Sequence, residues 1–321
     1  MTFKNVTLHI GRHKSGTSSL QHWLGLNRET LADNGVLYPL SGASNQIAHH
    51  QIAEALKQNA TQDVMAIAED ILKERKGQET LLLSSEAFQN LEDLDGMKNM
   101  LAHLGAENVT VICYVREHLD YAVSAYRQLV HAQTKSPSFS KYCFRFHSIA
   151  PFFQRWRSVG DLQLALYHRD LLKNGDIIED FCEKTGLPFK EMHLGDRNPS
   201  IGGNLLVYKL FANRLGMEGL TYAAMRELAL AEPRFRSAFF VSDEAAASLR
   251  ANSKYNASIE VELGLPPLKS WEKYRKLPDL ETLESDFEHI SEATRTQFDE
   301  EMLTKAKRSQ RVFVLSPDVL Q

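Results

Sequence analysis

Three stretches of this chain place anion-binding or proton-transferring residues directly after short apolar runs. The first is Gly11-Arg12-His13-Lys14-Ser15-Gly16-Thr17-Ser18, which follows Val6-Thr7-Leu8-His9-Ile10. The apolar run predicts a buried strand, and the segment from Thr17 predicts a helix. The turn between them has a glycine near each end. A strand–loop–helix of this kind aims backbone N–H groups and a helix N-terminus at one point, which favours an anion. Lys14 adds a full positive charge, and Thr17 and Ser18 add hydroxyl donors. Arg12, His13 and Ser15 stand in the same turn, His13 as a loop residue rather than a base. The nucleoside-triphosphate cradle G-x-x-x-x-G-K-[ST] puts its lysine directly after the second glycine. Here the lysine precedes Gly16 by two residues and Thr17 follows that glycine. The same turn is also open to a plainer reading, a strand-to-helix connection capped by Ser or Thr.

The second stretch is Val109-Thr-Val-Ile-Cys-Tyr-Val115 followed by Arg116, with Ser124 eight residues later. A permanently charged, forked arginine leaving a strand and a serine one turn into the next helix can converge on one phosphate. Alternatively, Arg116 pairs with Glu117 or Asp120 and Ser124 is solvated. The third stretch is Thr80-Leu-Leu-Leu83, then Ser84-Ser85-Glu86. A carboxylate there can take a proton from a hydroxyl nucleophile, or it can simply favour the dipole of a short helix. His49 and His50 are competing bases, because an imidazole titrates close to neutral pH.

The elements that must hold these groups alternate. Strands are expected at residues 6–10, 80–83, 109–115 and 162–167, and Val36-Leu-Tyr38-Pro39 is extended. Helices are expected from Thr17, over 28–33 and from His49 to Leu56. More follow over 64–76, 94–104, about 119–132, 144–159 and 176–185. Such alternation implies an α/β fold with a mostly parallel, helix-covered sheet. In such sheets ligands bind beyond the carboxyl ends of the strands, where Lys14, Glu86 and Arg116 all fall. From Asn198 the pattern is helical, over 205–215, 222–231 and 243–255, with Arg311–Leu315 as a candidate late strand. One domain is expected, with residues 1–190 as an α/β core and 198–321 as a mainly helical cap.

Lys14-Ser15-Gly16-Thr17-Ser18 resembles the 5′-phosphosulfate loop of sulfotransferases that use 3′-phosphoadenosine 5′-phosphosulfate (PAPS). The Arg116…Ser124 spacing resembles their 3′-phosphate motif. Glu86 occupies the place, in chain order between the two motifs, where cytosolic members carry a catalytic histidine, and several carbohydrate sulfotransferases use a glutamate. Gly35-Val-Leu-Tyr-Pro39, His49/His50, Ser85-Glu86 and Ser253-Lys-Tyr-Asn256 are similar to bacterial sulfotransferases of surface carbohydrates. The resemblance spans roughly residues 5–265. The chain shows no Arg-Lys-Gly phosphate clamp near its C-terminus. The resemblance implies a P-loop-like fold, PAPS as donor, adenosine 3′,5′-bisphosphate (PAP) as product, and a hydroxyl acceptor on a carbohydrate or small molecule. Residues 12–18, Arg116 and Ser124 would bind the donor, with Glu86, Lys14, His49 and His50 as catalytic candidates and no metal required. The rival readings are a nucleoside or sugar kinase, which would need lysine where Thr17 stands, and a non-catalytic nucleotide-binding protein.

Composition narrows the partners. A net charge of −4 over 321 residues gives no general attraction to nucleic acid or to a membrane surface, so any anion site must be a local basic cluster. Cys113, Cys143 and Cys182 are few, odd in number and widely spaced, without a disulfide framework or zinc-knuckle spacing. No apolar run approaches the roughly 20 residues that span a bilayer, and no signal-peptide stretch precedes the first strand. A cytoplasmic chain is the expectation.

Overall fold

The structure, a computed structural model, describes residues 2–132, 139–143, 147–192, 200–237, 243–268 and 281–308. It is an α/β fold around a parallel five-stranded sheet. The strands are β1 (Asn5–His9), β2 (Val36–Leu37), β3 (Thr80–Ser84), β4 (Asn108–Val115) and β5 (Asp161–Leu166), in the order β2-β3-β1-β4-β5. β1 is the centre: Leu8 is in register with Leu83 on one side and with Val111 on the other. Strands buried on both faces need apolar residues throughout. Val6, Leu8, Leu81, Leu83, Val111 and Cys113 serve one face, and Leu82, Ile112 and Tyr114 the other.

The helices that follow in this part of the chain are α1 (Thr17–Leu26), α2 (Arg28–Asp33), α3 (His50–Lys57), α4 (Thr61–Glu74), α5 (Asp95–His103), α6 (His118–Ala132), α7 (Phe139–Cys143), α8 (Ala150–Arg157) and α9 (Ile177–Thr185). Leu20, Trp23 and Leu24 of α1 join Ile177, Ile178 and Phe181 of α9 in a core over Leu82, Ile112 and Tyr114. Gly35, at φ 77°, turns the chain from α2 into β2, and Pro39 cannot donate to an extension of that edge strand. The β1-to-β2 connection moves toward one edge, while β3-to-β4 crosses back over β1. Right-handed crossovers put connections of opposite direction on opposite faces, so the topological switch lies at the carboxyl end of β1.

Further along come α10 (Gly203–Leu215), α11 (Tyr222–Ala231), α12 (Asp243–Asn252), α13 (Lys254–Leu263), α14 (Leu283–Thr294) and α15 (Glu300–Arg308). Two expected helices are corrected. Of the segment expected over 144–159, residues 144–146 lie outside the described residues and the helix begins at Ala150, with Pro151 in its first turn. The one expected over 243–255 breaks at Ser253, whose Oγ accepts the Asn256 N–H at 2.9 Å and starts α13. The strand expected at Arg311–Leu315 lies outside the described residues.

The chain groups into two units. One comprises Met1–Arg116, Ile149–Leu194 and Val261–Leu265, and contains the sheet. The other comprises Glu117–Ser148, Gly195–Glu260 and Pro266–Gln321. Its core gathers Leu119, Tyr126, Leu205, Tyr208 and Phe287. Among the described residues no helix is long and apolar enough to cross a membrane. The three cysteines are buried and free.

Candidate functional site

The turn after β1 is shaped by its own backbone. Ser15 N–H donates to the Arg12 carbonyl at 3.2 Å, and Ser15 Oγ donates to the same oxygen at 2.5 Å. Thr17 Oγ1 also points there, at 3.4 Å. Ser15 is therefore buried and committed to loop shape. Lys14 has φ 68° and Gly16 φ 76°. A lysine in the left-handed region is strained by roughly 1–2 kcal/mol, and a bond from outside the loop opposes that strain: Arg116 Nη1 donates to the Lys14 carbonyl at 2.7 Å. Gly16 admits no side chain, because a Cβ there would lie 2.7 Å from the Tyr167 ring and 2.9 Å from Ile177.

α1 begins at this turn without a side-chain cap and without an acidic residue in its first turn. Its N-terminal amides thus carry uncompensated partial positive charge. Ser18 is exposed beside them, whereas Thr17 is buried. The Arg116 guanidinium lies 5.1 Å from the centre of the Tyr167 ring, and its buried Nε has no hydrogen-bond partner. Arg12 sits over Phe152 at 5.3 Å. The turn thus joins the uncapped start of α1 to the Arg116 guanidinium, with Arg12 in the same loop.

Glu86 follows β3, at the same end of the sheet, and opens a short 3-10 turn over Glu86–Asn90. Ser85 caps that turn by accepting the Ala87 N–H at 3.2 Å. One carboxylate oxygen of Glu86 accepts from Gln21 Nε2 of α1 at 2.8 Å. The other lies 3.8 Å from His50 Nε2, and His50 Nδ1 contacts Ser85 Oγ at 2.7 Å. Gln21 is buried, while His50 and Glu86 are partly exposed. His13 is exposed on the loop. Desolvation lowers its pKa and the Glu86 charge opposes that shift, while Arg12, His50 and Lys14 reinforce it. The loop and the carboxylate therefore share one electrostatic environment.

His49 belongs to a different class. It is fully buried, its Nε2 donates to the Pro39 carbonyl at 3.1 Å, and its Nδ1 accepts the Ser84 N–H at 3.0 Å. Burial depresses its pKa to about 4. Both of its nitrogens are bonded to backbone, which ties His49 to the fold where His50 is partly exposed.

Within the first unit the structure brings together Arg12–Ser18, Gln21, His50, Glu86 and Arg116. Ser124 belongs to the second unit, half-buried on α6. Glu117 and Asp120, the candidate partners of Arg116, are buried in that second unit. Glu117 accepts from Asn256 Nδ2 at 2.8 Å and from Asp120 N–H at 3.0 Å. His118 Nδ1 contacts Ser253 Oγ at 2.8 Å, and its backbone N–H donates to Asn256 Oδ1 at 2.8 Å. The Ser253…Asn256 motif is thus a clamp on the start of α6.

Sequence reasoning missed His9, Gln21 and Tyr167. His9 was visible as the one strongly polar residue in an apolar strand. Gln21 was visible four residues after Thr17, on the same helix face. Tyr167 carried no signal. Compared with known proteins, the chain matches no family model, no curated protein and no solved structure.

Proposed function

We propose that this protein transfers a sulfuryl group from PAPS to a hydroxyl, on a carbohydrate or another small acceptor. The observation that carries the reading is the placement of Glu86. Its carboxylate is tied by Gln21 to the helix that starts at the anion-fitting turn, with His50 on its other oxygen. A turn that fits an anion serves many nucleotide-binding proteins; a carboxylate anchored to that turn's own helix adds a base for an incoming hydroxyl.

In this reading the amides at the start of α1, Lys14 and the hydroxyls of Thr17 and Ser18 hold the 5′-phosphosulfate, and Arg116 holds the 3′-phosphate. Glu86 accepts the acceptor's hydroxyl proton as its oxygen attacks sulfur. The bond from sulfur to the bridging phosphate oxygen breaks, and its electron pair stays on that oxygen. Positive charge on Lys14 favours this developing anion. Gln21 keeps one Glu86 oxygen occupied, leaving the other oriented for the proton. His50 can relay that proton to solvent.

The test is ligand-dependent stability followed by transfer. PAP at about 100 times its dissociation constant should stabilise the fold by roughly 2.7 kcal/mol, without magnesium, and ATP far less. Radiolabelled PAPS should then label a member of a saccharide and small-alcohol panel. Equal stabilisation by ATP, or an absolute magnesium requirement for binding, would favour the kinase and remove this reading.

A further inference from the structure

His9 is fully buried at the end of β1, directly beneath the turn. Its Nδ1 lies 2.8 Å from Ser84 Oγ, and its ring is edge-on to Tyr114 and Phe181. Its Nε2 is buried and makes no hydrogen bond. Leaving such an atom unpaired is costly, so its position calls for a partner. The surroundings name one. A Cβ added at Gly11, which has φ 27°, would sit 3.3 Å from His9 Nε2 and 2.9 Å from Thr17 Oγ1. The two atoms flank the same gap, and only glycine leaves it open. Thr17 Oγ1 is otherwise engaged only at 3.4 Å, with the Arg12 carbonyl.

We propose that His9 is a positioning residue of the turn: its Nε2–H donates to Thr17 Oγ1 and thereby directs the Thr17 hydroxyl proton onto the bound anion. This rests on the reading of residues 11–18 as the phosphosulfate cradle. In this assignment Ser84 Oγ–H, which also lies beside the Tyr38 hydroxyl, donates to His9 Nδ1, and the neutral ring carries its proton on Nε2. Thr17 then accepts that proton's bond on one lone pair and spends its own single hydrogen on the ligand. A neutral ring suits this task, since a donor is needed where full burial makes charge costly. The pKa is depressed to about 4 by that burial, against an opposing pull from Glu86.

The experiment is a double-mutant cycle on anion affinity, read by calorimetry with PAP and with inorganic sulfate. His9→Phe should weaken binding about tenfold, and His9→Gln, whose amide reaches a similar position, should recover to within about threefold of wild type. In a Thr17→Val background His9→Phe should change affinity less than about twofold. A second measurement needs no variant: in the ¹⁵N-labelled wild-type chain, the His9 imidazole should carry its proton on Nε2 in the anion-bound state, with a resonance that moves on binding. Additive effects of the two substitutions, or a proton on Nδ1 in the bound state, overturn the proposal while leaving PAP binding intact. If sulfate shows the coupling and PAP does not bind, the donor reading fails and the His9 role stands. If neither anion binds, both fall.

Discussion

At the residue scale the decisive distinction is between groups committed to the fold and groups able to exchange a proton. Glu86→Gln keeps size and much of the hydrogen bonding but removes the basic oxygen. It should bind PAP nearly normally and lose on the order of 10²-fold or more in turnover with a working acceptor. His50→Gln should cost less in turnover, because it removes a neighbour of the carboxylate and leaves the carboxylate itself in place. His49→Ala should behave in the opposite way. It strips a partner from the Ser84 N–H and the Pro39 carbonyl, and should lower stability by roughly 2–4 kcal/mol with little change in turnover per folded molecule. Comparing urea midpoints with specific activities separates the three. Sequence reading put His49 and His50 on one footing because they are adjacent and of one type. What separates them is tertiary. A single step along the chain carries one ring beneath Pro39 and the other out to Ser85, and no local pattern records where those residues lie.

At the element scale the strands, and the helices with strong apolar periodicity, were legible before the structure. β1, β3, β4 and β5 fall within a residue or two of the β-branched and leucine runs that mark them. The helix breaks were harder to read. Ser253 falls inside the helix expected over 243–255, since alanine-rich sequence precedes it. In the structure the serine hydroxyl takes over an amide that would otherwise have no partner, and the cap works together with tertiary bonds to Glu117 and His118. Asn256→Leu should therefore cost more than an ordinary cap. It removes a hydrogen bond to a buried carboxylate, worth about 1.5–3 kcal/mol, whose pKa burial already raises. Hydrogen exchange at the first turn of α6 should accelerate in this variant, while amides of β1 and β3 keep their protection. The Pro151 start of α8 is the reverse case, a signal present in the sequence and overridden there by the surrounding aromatic run.

At the scale of the whole molecule, buried neutral histidines tie stability to pH. His9 and His49 have folded pKa values near 4 against about 6.5 when unfolded. As pH falls below 6.5 the unfolded chain takes up protons that the folded chain refuses until about pH 4, so stability drops across that window. Each histidine contributes a slope of up to about 1.4 kcal/mol per pH unit. His118 acts in the same direction. Glu117, whose folded pKa is raised, opposes the trend just above pH 4.5. The urea midpoint should fall steadily from pH 7 to pH 5, and His49→Gln should remove about one histidine's share of the slope. A flat profile would mean that neither ring is held neutral in the folded state. The sheet order carries a further consequence, for biosynthesis. β1 leaves the ribosome first, yet both of its neighbours, β3 and β4, are translated much later. Until Val115 has emerged, the central strand has at most one hydrogen-bonded flank, and the turn after it lacks Arg116 to hold the Lys14 carbonyl. Pairing so remote in sequence is slow to form. The nascent chain must therefore carry its central strand with an open flank until β4 has been made, and a stall before residue 108 should leave a fragment prone to aggregation rather than a partly working binding site.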